Sequence, residues 1–252
     1  MNESLPAYDV SVVDHDNVRV LVLDRPAKLN AFNAEGYRVL KSRLDSAAAD
    51  PGVAVCVLTG RGRAFSAGVD LTEMSRPGGS AELGVDFDPL LECLASFPKP
   101  LVAAVNGLAV GFGATVLLHC DFVVVDETAE IRMPFVALGT CAEAGSSWLL
   151  PLRVGHQQAA WMMLSGSPLG ADDAVATGFA LARAPSGRVL EEALAFAGRL
   201  GAHSVDALVA NKSLLRAGFA EQIMAVWQRE KAAMAAIAEK LGPIGWSTTP
   251  PT

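Results

Sequence analysis

Cysteine is scarce in this chain of 252 residues, and Cys56, Cys93, Cys120 and Cys141 lie far apart. None of them has the close spacing of a metal finger or a dithiol redox pair, so reduced thiols in a cytoplasmic protein are expected. The histidines offer no metal site: His15 falls in a turn, and His156 and His203 have no partner at ligand spacing. Basic charge is also in short supply, with 20 Lys and Arg against 27 Asp and Glu and a formal net charge of −7. That balance excludes a general nucleic-acid binder, although a small anionic ligand needs only a few local cations. Long apolar runs are missing too. Gly107, Gly111, Gly113, His119 and Asp121 break the longest one, so no segment reaches membrane-spanning length. The start, MNESLPAYDV, lacks the basic opening and apolar stretch of a secretion signal. The expectation is a soluble, cytoplasmic protein with no membrane or nucleic-acid partner. There is no fixed-period repeat, no phosphate-loop pattern and no GxGxxG.

What is present is a globular composition, 51% apolar and 19% charged, long enough for one large core. DVSVV, a turn at His15-Asp16-Asn17 and VRVLVLD predict a hairpin over 9–24. Asn33 is placed to cap a helix whose Tyr37, Leu40, Leu44 and Ala47 recur at helical spacing. VAVCVLTG (53–60) and PLVAAVNG (100–107) are continuous apolar runs, the mark of strands buried on both faces. A helix around 87–97 lies between them, then a glycine-opened helix GFGATVLLHC and a strand DFVVVD (121–126). This alternation predicts an α/β fold. Beyond Gly155 alanine-rich helices are expected over 156–164, 171–182, 188–201 and 204–240, with a loose tail from Pro243.

Two segments leave a buried strand through glycine and enter a helix: TGRGRAFSAGVDL (59–71) and NGLAVGFGATVLL (106–118). Ligands of α/β sheets gather at such corners, where free amides at a helix start favour negative charge. For one such corner alone, a tight turn needing glycine for steric reasons is the better explanation.

Taken together, the two strings resemble the paired oxyanion-hole segments of the enoyl-CoA hydratase/isomerase (crotonase) superfamily. The likeness extends from RPAKLNAFN (25–33), similar to the family's N-terminal acyl-CoA contact, to GSPLGADDAVATGFA (166–180). It implies a crotonase-like spiral of β-β-α units over residues 1–200 and a C-terminal helical trimerisation region over 201–252. The substrate it implies is an acyl-CoA, with coenzyme A entering as part of that substrate and no separate cofactor. A homotrimer or dimer of trimers is the expected assembly. The resemblance places thioester-binding amides at Val69 and Phe112 and substrate contacts along Ser66, Ala67, Gly68, Asp70, Leu71 and Gly111. Asp70 is read as the anchor of its loop. Arg25, Lys28 and Leu29 supply the upstream contact, with Arg25 and Lys28 as candidates for coenzyme A phosphates. Phe112 departs from the commonest family pattern, yet its donor is main chain, which any residue but proline supplies.

Carboxylates decide the chemistry. The two glutamates of hydratases match Thr115 and Phe135 here, so the water-activating pair is missing. One acid remains, Glu143 in LGTCAEAGSSWLLP (138–151), a string similar to the matching segment of delta-3, delta-2 enoyl-CoA isomerases. There a single carboxylate moves the proton. Glu143 as a cap for the helix near Ser146 is the competing structural role. If Phe135, Leu138, Trp148 and Leu149 line the pocket, burial should raise its proton affinity. A hydratase, a thioesterase or a catalytically silent acyl-CoA-binding protein are the alternatives to an isomerase.

Overall fold

The computed structural model describes residues 8–76 and 78–241, so the expected loose tail from Pro243 and the first seven residues lie outside it. The predicted hairpin is present as β1 (Asp9–His15) and β2 (Val18–Asp24), antiparallel around Asp16-Asn17. Then follow α1 (Ala34–Ala49), β3 (Val55–Gly60), β4 (Ala64–Ser66), α2 (Leu71–Met74) and α3 (Gly79–Ser96). Asn33 caps α1, its side chain accepting from the Gly36 amide at 2.8 Å. The chain continues through β5 (Leu101–Val105), β6 (Leu108–Val110), α4 (Phe112–Thr115), β7 (Phe122–Asp126) and β8 (Glu130–Arg132). After these come α5 (Ser146–Val154), α6 (His156–Ser165), β9 (Leu169–Gly170), α7 (Ala171–Ala176) and β10 (Ala182–Ala184). Three helices end the described chain: α8 (Val189–Gly201), α9 (Val205–Leu215) and α10 (Phe219–Leu241).

The strands form two sheets. The larger runs β1-β2-β3-β5-β7-β10, parallel from β2 onward, and the smaller runs β4-β6-β8-β9. In the pairs β3/β4, β5/β6 and β7/β8 the first strand lies in the large sheet and the second in the small one. Helical segments follow each pair, which makes the chain a spiral of β-β-α units. Alternation explains the continuous apolar runs. Cys56, Leu58, Leu101, Ala103, Val105, Val123 and Val125 face one core, with Leu40, Leu44, Leu90, Leu91 and Leu94 of α1 and α3. Val55, Val57, Val102, Ala104 and Val124 face the other, covered by Val189, Ala193 and Ala197 of α8. Both faces are buried, so the strands are largely apolar, and Thr59, a buried polar residue of β3, is satisfied by the Ala104 carbonyl at 2.8 Å.

Several expected elements change. The second glycine corner contains a strand, β6, because Gly107 and Gly111 bracket three residues that pair with β4 and β8. Its helix is a single α turn continuing as a 3-10 turn over Val116–His119. The helix expected over 171–182 stops at Ala176, where Thr177-Gly178 turns the chain into β10, the sixth strand of the large sheet. The long helix expected over 204–240 is broken at Gly218 (φ 73°) into α9 and α10. α9 is fastened by Lys212, which bonds Asp121 at 2.6 Å and the Lys99 carbonyl at 2.8 Å. α10 packs back on α3 and α5 of its own chain. Among the described residues no helix is long and apolar enough to cross a membrane.

Candidate active site

The first corner is built around residues 25–33. Leu29 and Asn30 both adopt left-handed backbone (φ 51° and 57°), which turns the chain back on itself. Such residues persist only where the surroundings over-determine them. The Asn30 side chain does so: it accepts from the Arg25 amide at 2.9 Å and donates to the Ala64 carbonyl at 2.8 Å. The Asn30 carbonyl accepts from Ser66 Oγ at 2.9 Å, and the Ala67 amide donates to Leu29 at 2.9 Å. Ser66 and Ala67 are thus sewn to the upstream loop, and Ser66 Oγ also accepts from the Gly68 amide at 3.1 Å.

Arg25 requires a correction. It is only 3% exposed, and its guanidinium points inward to Asp70 (2.8 Å) and the Ala31 carbonyl (3.0 Å). It offers no cation to solvent, because a buried carboxylate has claimed it. Asp70 is the anchor expected of it. Its other oxygen caps α2 by accepting from the Thr72 amide at 3.0 Å. Burial opposes the Asp70 charge, but the hydrogen bond and charge of Arg25 outweigh it and hold the carboxyl below its ordinary range. Lys28 stays half-buried, without an ion pair among the described residues, and Leu71 opens α2.

Phe32 donates to the Gly68 carbonyl at 2.7 Å and accepts from the Asp70 amide at 2.6 Å. Successive amides of an extended segment point to opposite sides, so the Val69 N–H faces away from Phe32. Gly68 has φ +86°, and a Cβ there would stand 2.5 Å from the Val110 carbonyl and 3.3 Å from the Phe112 nitrogen. Only glycine allows this approach, and it brings the two corners together. Gly111, at φ 53° and ψ −122°, sits in backbone space that side chains avoid and turns the chain from β6 into α4. The Phe112 amide opens that helix and has no intrahelical partner. Among the described residues no acceptor engages the amide of Val69 or Phe112. Both free donors therefore border the close approach at Gly68.

The Phe112 ring turns away into an aromatic cluster, meeting Phe32, Tyr37 and Phe87 edge-on at centroid distances of 5.1, 5.4 and 5.1 Å. One turn along α4, the Thr115 hydroxyl donates to Glu143 Oε1 at 2.5 Å. The position that matches the first hydratase acid thus holds the remaining acid in place. Burial, opposed by the Thr115 hydrogen bond and reinforced by the charge of Glu230, pushes the Glu143 carboxyl up to about 8. Burial and then the Glu143 charge push the Tyr37 phenol well above its ordinary range. Glu143 is not a cap through its side chain. The N-terminus of α5 is capped by Glu230 of α10, which accepts from the amides of Gly145 at 2.7 Å and Ser147 at 2.9 Å. Phe135 and Leu149 are buried in the continuous core, Trp148 packs on Phe219 at 5.0 Å, and Leu138 is half-buried.

Sequence reasoning missed Tyr37, Asn30 and Glu230. Tyr37 was read only as a core position, and Glu230 lies 87 residues beyond Glu143 with no local signal. His119 is buried behind the 143–147 turn. Burial and then the charge of Arg216 push it down to about 3, and its Nε2–H donates to the Ala144 carbonyl at 2.9 Å. No cluster of His, Cys, Asp and Glu suited to a metal occurs among the described residues. A groove of about 520 Å³ lined by Phe122, Leu181, Phe196 and Arg199 includes none of the candidate residues.

Comparison with known proteins shows the family. The model of the family "Enoyl-CoA hydratase/isomerase" matches residues 14–241. The 2,3-dehydroadipyl-CoA hydratase of Escherichia coli K12 is 39% identical over 208 residues, 82% of each chain. Human enoyl-CoA delta isomerase 2 is 36% identical over 173 residues, 66% of this chain and 44% of that one. An enoyl-CoA hydratase/isomerase from Pseudoalteromonas atlantica T6c superposes with a TM-score of 0.84 at 32% identity, covering 91% of both chains. The β-β-α spiral is the crotonase fold of these relatives, and the chain belongs to the enoyl-CoA hydratase/isomerase family.

Proposed function

We propose that the protein is an enoyl-CoA isomerase that moves a 3-double bond to trans-2 by means of one carboxylate. The observation that carries this reading is the lone acid: Glu143 is held by Thr115, and Thr115 and Phe135 stand where a water-activating pair would need carboxylates. In the proposed reaction the Glu143 carboxylate takes a proton from C2 of the acyl chain. The electron pair moves onto the thioester oxygen, which accepts hydrogen bonds from the Val69 and Phe112 amides. Preorganised donors of this kind contribute roughly 3–4 kcal/mol each. Glu143 then returns its proton to C4, the double bond settles between C2 and C3, and no atom is gained or lost.

A carboxyl that titrates at about 8 suits this task, since a shuttle works best when its proton affinity is near the working pH. The carboxylate is the active form, so kcat/KM rises with pH and levels off above about 8. Residues Lys28 and Leu29 are proposed contacts for the coenzyme A portion, and the C-terminal helices are proposed to form a trimer or dimer of trimers. The test is the purified protein with 3-hexenoyl-CoA and, separately, crotonyl-CoA, with products separated by chromatography. Formation of trans-2-hexenoyl-CoA is expected. Hydration of both substrates without isomerisation would overturn the proposal.

A further inference from the structure

The turn that presents Glu143 is strained, and α10 supplies what holds it. Ala144 (φ 56°) and Gly145 (φ 75°) are consecutive left-handed residues, and alanine adopts that conformation only against a steric penalty. Three sets of bonds fix the turn. The Ser146 amide donates to the Glu143 carbonyl at 2.9 Å, and His119 holds the Ala144 carbonyl at 2.9 Å. Glu230 takes the rest, with Oε2 on the Gly145 amide at 2.7 Å and Oε1 on both the Ser147 amide (2.9 Å) and the Ser147 hydroxyl (2.6 Å).

Glu230 is itself buried (4% exposed), and among the described residues no lysine or arginine pairs with it. A buried carboxylate without a cation is costly, and a glutamine would satisfy part of the same bonding without any charge. The N-terminal amides of α5 and the Ser147 hydroxyl offset part of that cost, and the charge also acts on the neighbouring acid. Resting on the reading of Glu143 as the base, we propose that Glu230 is a positioning residue. From the C-terminal helix it clamps the 143–147 turn that aims Glu143 at the acyl chain, and it holds a second negative charge behind that carboxyl. The groups around the pair are few. Thr115 bonds Glu143 from α4, the Glu143 charge reaches the Tyr37 phenol of α1, and neutral His119 lies behind the turn. Cys141 Sγ meets the Glu230 carbonyl at 3.7 Å, and Asp88 of α3 is already paired with Lys231 at 2.7 Å. Among the described residues no lysine or arginine forms an ion pair with either acid, in keeping with the raised proton affinity of Glu143.

The test uses the full-length protein and two readouts. Difference infrared titration against Glu143→Gln isolates the Glu143 carboxyl band, and turnover of 3-hexenoyl-CoA gives kcat. In Glu230→Gln the band should titrate at lower pH than in the parent, because the repulsion is gone. There kcat should fall roughly 10- to 100-fold as the turn loses register. Glu230→Asp keeps the charge and shortens the reach, so kcat falls while the titration stays near that of the parent. Ser147→Ala, at an exposed position, guards against a folding failure: amide exchange over 143–147 should quicken and kcat should drop. A Glu143 titration unmoved in Glu230→Gln overturns the proposal, as does unchanged exchange and turnover in Ser147→Ala. Full activity of Glu143→Gln itself would instead overturn the reading of Glu143 as base, and the infrared result separates the two failures.

Discussion

Replacing Glu143 with glutamine should raise stability and abolish most activity, and the stability gain should grow with pH. The folded protein holds the Glu143 proton up to about 8, whereas an ordinary glutamate releases it near 4.5. Between those values the native state keeps a proton that the unfolded chain has lost, so stability falls as pH rises, by about 1.4 kcal/mol per pH unit. Over the whole window this reaches roughly 4–5 kcal/mol, or about 2–4 kcal/mol once the partial solvent contact of Glu143 is allowed for. Glutamine has no such titration. The variant should match the parent near pH 5, gain progressively as pH rises, and level off above about 8, ahead by about 2–4 kcal/mol. That is a large share of the roughly 5–15 kcal/mol that holds a domain folded. Urea unfolding followed by circular dichroism at several pH values measures it. In parallel, kcat should fall by roughly 10²–10⁴-fold, with acyl-CoA binding retained in calorimetry. A stability difference that did not vary with pH would refute the argument, because the carboxyl would then titrate alike in both states.

Other outcomes follow from the same geometry. Hydration of crotonyl-CoA by the purified protein should be very slow or absent, measured as 3-hydroxybutyryl-CoA formed. Arg25→Met leaves Asp70 as an unpaired buried charge and should lower the unfolding free energy by about 3–5 kcal/mol in the same urea assay. Gly68→Ala places a Cβ 2.5 Å from the Val110 carbonyl at φ +86°. It should separate the two amides and reduce kcat/KM by roughly 10²-fold or more, read in steady-state kinetics. Light scattering should give a trimer or a multiple of it, with a purely monomeric mass as the contrary result.

The sequence by itself determined the parts governed by local physics. Alternating burial on two faces made 53–60, 100–107 and 121–126 strands, and Asn33 announced the start of α1. The glycine strings at 59–71 and 106–118 marked corners where only a residue without Cβ lets two backbones approach. That Thr115 and Phe135 match the acid positions of hydratases, leaving Glu143 alone, came from the resemblance to the family and not from local physics. Short strands escaped, since β4, β6 and β8 carry three residues each and owe their existence to pairing across the small sheet. Tertiary structure alone decided the fate of charges. Arg25 reads as a surface cation until Asp70, 45 residues on, draws it inside. Glu230 carries no local signal, and it becomes the cap of α5 only once α10 folds over that helix, a role weighed for Glu143 as the alternative to its chemistry. Spacing along a chain records which side chains share a face of one element. Which charge meets which amide is settled only when distant elements pack, because a hydrogen bond forms or fails over an ångström that no local pattern specifies.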